Sequence, residues 1–237
     1  MVALSLLIKK CNMKKTSQFR LFFLTSCYTM KSVITMNKES HRYPKTASGI
    51  KTLNKIVSTG KKLFAKNGYQ ATSINDIIAK SKIAAGTFYI YFDSKLALYL
   101  YILDLYRVSI RKSSADATKG LTHRYDIERA GIKAFITYAL KDPLAYRIIW
   151  ESLFVDFEIF KNYYQSFAES YIKHLKEFVD KKELRSDLDL ETLSYTLMGI
   201  SNFVGLQVIF KNDVSNAEID RIIDEAMSIL ERGIFLK

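Results

Sequence analysis

The chain is short of structure breakers: its 237 residues include two prolines and nine glycines. So few turn-formers exclude the many short strands of a β-sandwich or barrel and favour long helices. Cysteine is nearly missing as well. Cys11 and Cys27 are the only two, and both precede the first helical pattern, which excludes a disulfide framework or thiol site in the remainder. The three histidines, His41, His123 and His174, are scattered, without the close His/Cys spacings of a zinc site, so no metal is expected. A Gly-rich phosphate loop and a nucleophile elbow are also absent, and Asp180, Glu183, Asp187, Asp189 and Glu191 read as a solvated charge run. No catalytic residue and no cofactor is expected. No stretch approaches the ~18 apolar residues of a membrane-spanning helix. The expectation is a cytoplasmic protein without a membrane partner.

Among what is present, positive charge stands out. Thirty-six Lys and Arg against 24 Asp and Glu give a net charge of +12, which suits a polyanionic partner, whether nucleic acid or a membrane surface. Lys9, Lys10, Lys14, Lys15, Arg20, Lys31, Lys38, Arg42 and Lys45 fall in residues 1–46, opposed only by Glu39. That segment reads as a solvated basic extension, with Met36 as an alternative start. From Met13 the text MKKTSQFRLFFLTSC resembles a lipoprotein signal, but its apolar core is only Leu21 to Leu24, short of the roughly seven residues a signal needs.

Helical grammar begins at residue 47. Leu53, Ile56, Val57, Gly60, Leu63 and Phe64 keep a helical spacing over Ala47 to Asn67, with Lys51, Lys55, Lys61, Lys62 and Lys66 on the other faces. Gly68 closes that pattern. Ser73 with Asp76 three residues on forms a capping box, and Ile74, Ile77 and Ile78 then share one face of a helix running to about Lys80. After Ser81-Lys82-Ile83, the small residues Ala84, Ala85, Gly86 and Thr87 open a second short helix, from about Ala84 to Ile90. Phe88 and Phe92, four apart, point inward together and leave the hydroxyls of Tyr89 and Tyr91 free for phosphate oxygens. Lys95 adds a charge at the edge.

Two short helices joined by a tight turn, with those residues, resemble the signature of the TetR family of bacterial repressors. Its motif runs roughly Thr-Thr, a helix, a turn, then Gly-Thr-Leu-Tyr-x-Tyr/His-Phe-x-Ser-Lys. Thr72-Ser73 stands for the first pair, Gly86 to Phe92 for the core and Ser94-Lys95 for the end; Lys61 to Ser73 is similar to the family's first-helix exit. One departure occurs in the turn, where Ser81-Lys82 replaces the usual Ala-Gly, so a non-glycine must take up a strained conformation. The resemblance implies a double-stranded DNA operator as partner, with Ala84, Ala85, Gly86 and Thr87 toward the bases and Thr72, Ser73, Tyr89, Tyr91 and Lys95 toward phosphates.

The rest of the chain is helical by the same criteria. Leu96, Leu98, Tyr99, Ile102, Leu103, Leu105, Tyr106 and Ile110 give one long helix with apolar residues on more than one side. Asp142-Pro143 ends a helix from Tyr125 to Lys141 and starts the next with an N-cap. Helices follow over Phe157 to Lys181, Leu190 to Phe210 and Ala217 to Leu236, the last opened by Ser215 and Glu218. The fold class is therefore all-α: a three-helix helix-turn-helix domain over 47–95, then a larger helical ligand-binding and dimerisation domain over 96–237. An aromatic stripe in that body is either core packing or the lining of a cavity. The resemblance implies an inducer pocket there, for which Tyr146, Trp150, Phe154, Tyr164 and Phe203 are the expected lining and an apolar or aromatic small molecule the expected inducer. Gly199, Ser201, Asn202 and Gly205 interrupt an apolar helix, which suits either a cavity wall or a close subunit contact. The resemblance implies a homodimer through the last two helices. The alternative is a helical small-molecule-binding or membrane-surface protein that keeps the fold without specific DNA binding.

Overall fold

The computed structural model describes residues 42–211 and 213–232; the expected basic extension up to residue 41, with Met36, both cysteines and His41, lies outside them. Among the described residues every regular element is a helix. In chain order these are α1 (Ala47–Asn67), α2 (Ile74–Ser81), α3 (Ala85–Tyr91), α4 (Lys95–Ala117), α5 (Arg124–Lys141), α6 (Leu144–Val155), α7 (Phe157–Asp180), α8 (Leu190–Phe210) and α9 (Asn216–Arg232). The all-α architecture read from the sequence holds.

Helix starts follow side-chain chemistry. Thr46, Ser94, Asp156 and Asp189 each accept a backbone N–H from the first turn of α1, α4, α7 and α8, a cap worth about 1 kcal/mol. Asp142 does not act in this way. Its carbonyl receives the Ala145 N–H at 3.0 Å, but its carboxylate turns to Lys61 on α1, 3.5 Å away; an opposite charge across the interface outcompetes the helix N–H groups. At α9, Ser215 Oγ accepts the Glu218 N–H at 3.2 Å. The Glu218 carboxylate does not return to Ser215, because Lys211 and Arg221 hold it at 2.7 and 2.8 Å.

Packing runs across the boundary expected at Lys95. One core joins Leu53, Ile56, Phe64, Ile77, Phe88 and Phe92 to Leu98, Tyr99, Ile102 and Tyr106 of α4, and on to Ile148 and Tyr163. α4 is thus shared between the helix-turn-helix and the body. A second core, of Ile132, Ile136, Val208, Ile219, Ile222, Ile223 and Met227, binds α5 to α8 and α9. By length and composition α8 is apolar enough to cross a membrane, contrary to the sequence expectation. Its apolar residues are spread among Ser, Thr and Asn, so no unbroken run announces it. Most of α8 is not buried within the subunit.

Candidate nucleic-acid interface

The site is built on α2, α3 and the turn between them. Ser73 Oγ accepts the Asp76 N–H at 3.1 Å while the Asp76 carboxylate takes the Ser73 N–H at 2.8 Å, completing the capping box. Those hydrogen bonds also hold the Asp76 carboxyl below its usual range. Lys82 closes the turn at φ 52°, ψ 52°, its N–H donating to Ala79 and Ile78 carbonyls. The turn therefore does demand a left-handed residue, and lysine adopts it at a cost of about 1 kcal/mol.

Phe88 and Phe92 are fully buried. The Phe92 ring meets Tyr101 of α4 edge-on at 5.5 Å, which fixes α3 to the long helix. With these rings inward, Ala84, Ala85, Gly86, Tyr89 and Ile90 form the outer face and Thr87 its half-buried edge. A Cβ added at Gly86 would meet nothing within 4 Å, so no internal packing requires that glycine. It keeps the outer face low.

Of the five residues expected at phosphates, Tyr89 is the one whose side chain stands clear, 52% exposed and edge-on to Phe88. Tyr91 is a correction: it is 8% exposed and its hydroxyl donates to the Gly49 carbonyl at 3.2 Å, tying α3 to α1. Thr72 is buried, its hydroxyl donating to the Gly68 carbonyl at 2.8 Å. Lys95 folds back over the Tyr69 ring and donates to the Tyr69 and Thr72 carbonyls at 2.7 and 2.8 Å. Ser73 is exposed, yet its hydroxyl is engaged by Asp76 at 2.6 Å. For Tyr91, Thr72 and Lys95 a backbone carbonyl, invisible to residue spacing, captures the donor, whereas Ser73 is taken by the Asp76 of its own capping box. Lys61, read as part of an outer basic face, also turns inward and lies 4.1 Å from the Tyr106 ring.

Positive charge does not depend on the extension. Residues 47–95 hold eight lysines against Asp76 and Asp93 alone, and Lys51, Lys55, Lys62, Lys66, Lys80 and Lys82 are exposed. The helix-turn-helix region therefore carries a strong positive charge of its own.

The five residues expected to line a pocket are not gathered into one. Tyr146 borders an open cleft of about 480 Å³ with Pro143, Arg147, Leu206, Ile209 and Phe210, between α6 and α8. Its hydroxyl donates to the Asn202 carbonyl at 2.8 Å and sits where a Cβ at Gly205 would collide. Gly205 is thus small for an internal contact, whereas Gly199 faces open space. Tyr164 lies on α7 beside Phe160, ring centroids 4.8 Å apart. Trp150 and Phe203 pair edge-on at 6.3 Å but are 37% and 64% exposed, and Phe154 is 80% exposed. Helical spacing gives an apolar stripe without saying whether it faces the core or the outside. Among the described residues no group of three or more His, Cys, Asp and Glu side chains is placed to hold a metal.

Sequence reasoning missed the residues that join the two parts. The Glu151 carboxylate on α6 accepts the Tyr69 N–H in the loop after α1. Arg147 reaches the Ala65 carbonyl at 3.4 Å, and the buried Tyr99 hydroxyl donates to the Ile148 carbonyl at 2.6 Å. Burial and the nearby Glu151 charge push the Tyr99 hydroxyl well above the ordinary tyrosine range.

A capped helix, a left-handed turn and a short helix with small residues on its outer face, set on a helical body, make up a helix-turn-helix unit. Residues 56–102 match the family described as bacterial regulatory proteins, tetR family. Over 51 residues the chain is 51% identical to an uncharacterised HTH-type transcriptional regulator, YuxN, of Bacillus subtilis, covering 22% of this chain and 18% of that protein. The chain spans about half, or less, of the length of the curated relatives it matches. Among solved structures, the fatty acid degradation regulator FadR from Bacillus halodurans superimposes with a TM-score of 0.69 at 13% identity, covering 82% of this chain and 100% of that one. FadR from Bacillus subtilis, solved with stearoyl-CoA, gives 0.63 at 14% identity over 77% and 99%. At these identities the structures show the shared fold alone. Residues 56–102 thus form a TetR-family helix-turn-helix region, and the helical body behind it shares the fold of a TetR-family structure.

Proposed function

We propose that this protein is a cytoplasmic, homodimeric repressor that binds a pseudo-palindromic operator and is released by a small apolar or aromatic inducer. The observation that carries the reading is the outer face of α3, where Ala84, Ala85 and Gly86 are exposed without side chains that would obstruct a groove. A major groove about 12 Å wide admits such a helix, and only residues near its start reach base edges. Thr87, Ala84 and Ala85 read bases in this account. Tyr89 and the exposed lysines meet phosphates, which set register without reading sequence.

Dimerisation is supported by α8, most of whose apolar residues are only half-buried within the subunit, with Phe203 and Phe210 exposed and Gly199 open to close approach. A two-fold partner would cover that face and set two readers about one helical turn (~34 Å) apart. An inducer acts by favouring a body conformation in which α4 and α6 carry the readers out of that spacing, which requires unequal affinity for the two conformations. That the Bacillus subtilis structural neighbour was solved with stearoyl-CoA supports an apolar effector.

Selection from random or genomic duplex DNA tests the proposal. A pseudo-palindromic site is the expected product, and recovery of no preferred sequence would overturn it. Tyr89→Phe should weaken all sequences similarly, whereas Thr87→Val should shift sequence preference; the reverse pattern would refute the assigned roles. Phe203→Asp should yield monomers by sedimentation and lose operator affinity together.

A further inference from the structure

We propose that the seam between α4 and α7 is a headgroup site for a small organic acid with an apolar body, its carboxylate received by Arg111 and the Tyr163 hydroxyl. This rests on the reading that the body senses a small molecule.

α4 and α7 are not a closely packed helix pair. They meet through long side chains. Arg111 leaves α4, lies 4.9 Å over the Phe167 ring of α7 and donates through one Nη to the Ser166 carbonyl at 2.5 Å. Its Nε–H is buried without an acceptor, and so is the hydroxyl of Tyr163, a residue 8% exposed on α7. A buried donor left unsatisfied costs about 1–3 kcal/mol, so two in one seam call for an acceptor from outside.

The neighbours do not supply one. Asp104 is paired with Arg107, and the Asp104 and Glu169 charges act on Arg111 without a hydrogen bond to its Nε–H. Tyr138 and Tyr164 are further hydroxyls around Tyr163. Burial raises Tyr163 well above the ordinary tyrosine value and Tyr164 to about 12, which keeps both protonated, hence donors, at neutral pH. Donors and guanidinium charge together select an anion rich in acceptors. Phe167, 5.3 Å from Tyr163 by ring centroids, and the Phe160–Tyr164 pair provide aromatic walls for the apolar remainder.

Calorimetric titration of the full chain with decanoate and 2-naphthoate, each against its neutral alcohol, decan-1-ol and 2-naphthalenemethanol, tests the site. At least one acid should bind about tenfold tighter than its alcohol; decanoate alone would mark an aliphatic source and naphthoate alone an aromatic one. Tyr163→Phe should weaken that acid about tenfold and leave the alcohol unchanged, with unaltered circular dichroism. Arg111→Met should abolish the preference for acid over alcohol. Alcohols binding as tightly as acids, no binding of either acid, or Tyr163→Phe without effect on acid affinity would each overturn the proposal. Duplex binding is measured on the same preparation. DNA bound without acid removes the headgroup site and leaves the regulator reading standing, while acid bound without DNA does the opposite.

Discussion

Glu151 on α6 accepts the backbone N–H of Tyr69, the second residue after the end of α1. One carboxylate of the body thereby grips the loop that leads into the helix-turn-helix, and the Gly68 Cα lies so close that a Cβ there would fall 2.9 Å from the same carboxylate. A charged acceptor on a backbone donor is worth about 1.5–3 kcal/mol. Glu151→Ala should therefore destabilise the protein by about that much in urea unfolding. On the proposed function it should also uncouple the two parts: affinity for a selected duplex without effector stays within about threefold of wild type, while the effect of the proposed inducer on that affinity shrinks. An unchanged inducer response would show that α6 does not carry the signal by this contact.

Lys95 tests a second division of labour. Its ammonium caps the carbonyls of Tyr69 and Thr72 and lies 4.2 Å from the Tyr69 ring, so its charge is spent within the protein. Lys95→Met should lower unfolding stability by about 2 kcal/mol and leave the slope of log affinity against log salt nearly unchanged. A phosphate-binding lysine would behave oppositely, reducing that slope by about 1 with little loss of stability.

Glu218 gives a pH dependence of known sign. Hydrogen bonds from Arg221 and Lys211 hold its carboxyl at about 2, against an ordinary value near 4.5. As pH falls, the unfolded chain takes up the proton first, so the stability linked to this group is complete above about pH 5 and is lost as pH falls toward about 2. The stability gap between wild type and Glu218→Gln should narrow through that window. Because the group is solvent-exposed, the gap should also shrink on raising salt from 0.05 to about 0.5 M. A gap that widened on acidification would contradict the assignment.

How much of this was legible in the sequence depended on whether the deciding partner was local. The Ser73–Asp76 box, the burial of Phe88 and Phe92 and the bounds of α8 follow from spacings of three and four, and all recur in the structure. The side chains of Tyr91, Thr72 and Lys95 did not, because their partners are backbone carbonyls at Gly49, Gly68 and Tyr69, and a carbonyl carries no mark in the one-letter text. Asp142 failed similarly, its carboxylate drawn to Lys61, 81 positions away. Trp150, Phe154 and Phe203 keep helical spacing, yet periodicity fixes a face and not what covers it.

The turn residue Lys82 separates fold from recognition. At φ 52° it occupies a conformation that costs an L-residue about 1 kcal/mol and glycine almost nothing. Lys82→Gly should raise stability by about 0.5–1 kcal/mol, glycine's greater freedom in the unfolded chain offsetting part of the gain, and move the thermal midpoint upward by a few degrees. The same change removes one exposed cation beside α3. If Lys82 contributes to the basic field, affinity should fall about equally for all duplexes, with the salt slope reduced by up to about 1. Greater stability with weaker, equally selective DNA binding is the expected pair of results. A rise in stability with no change in salt slope would place Lys82 outside the DNA contact, and a fall in stability would show that its stem packs against α2 in a way that outweighs the strain.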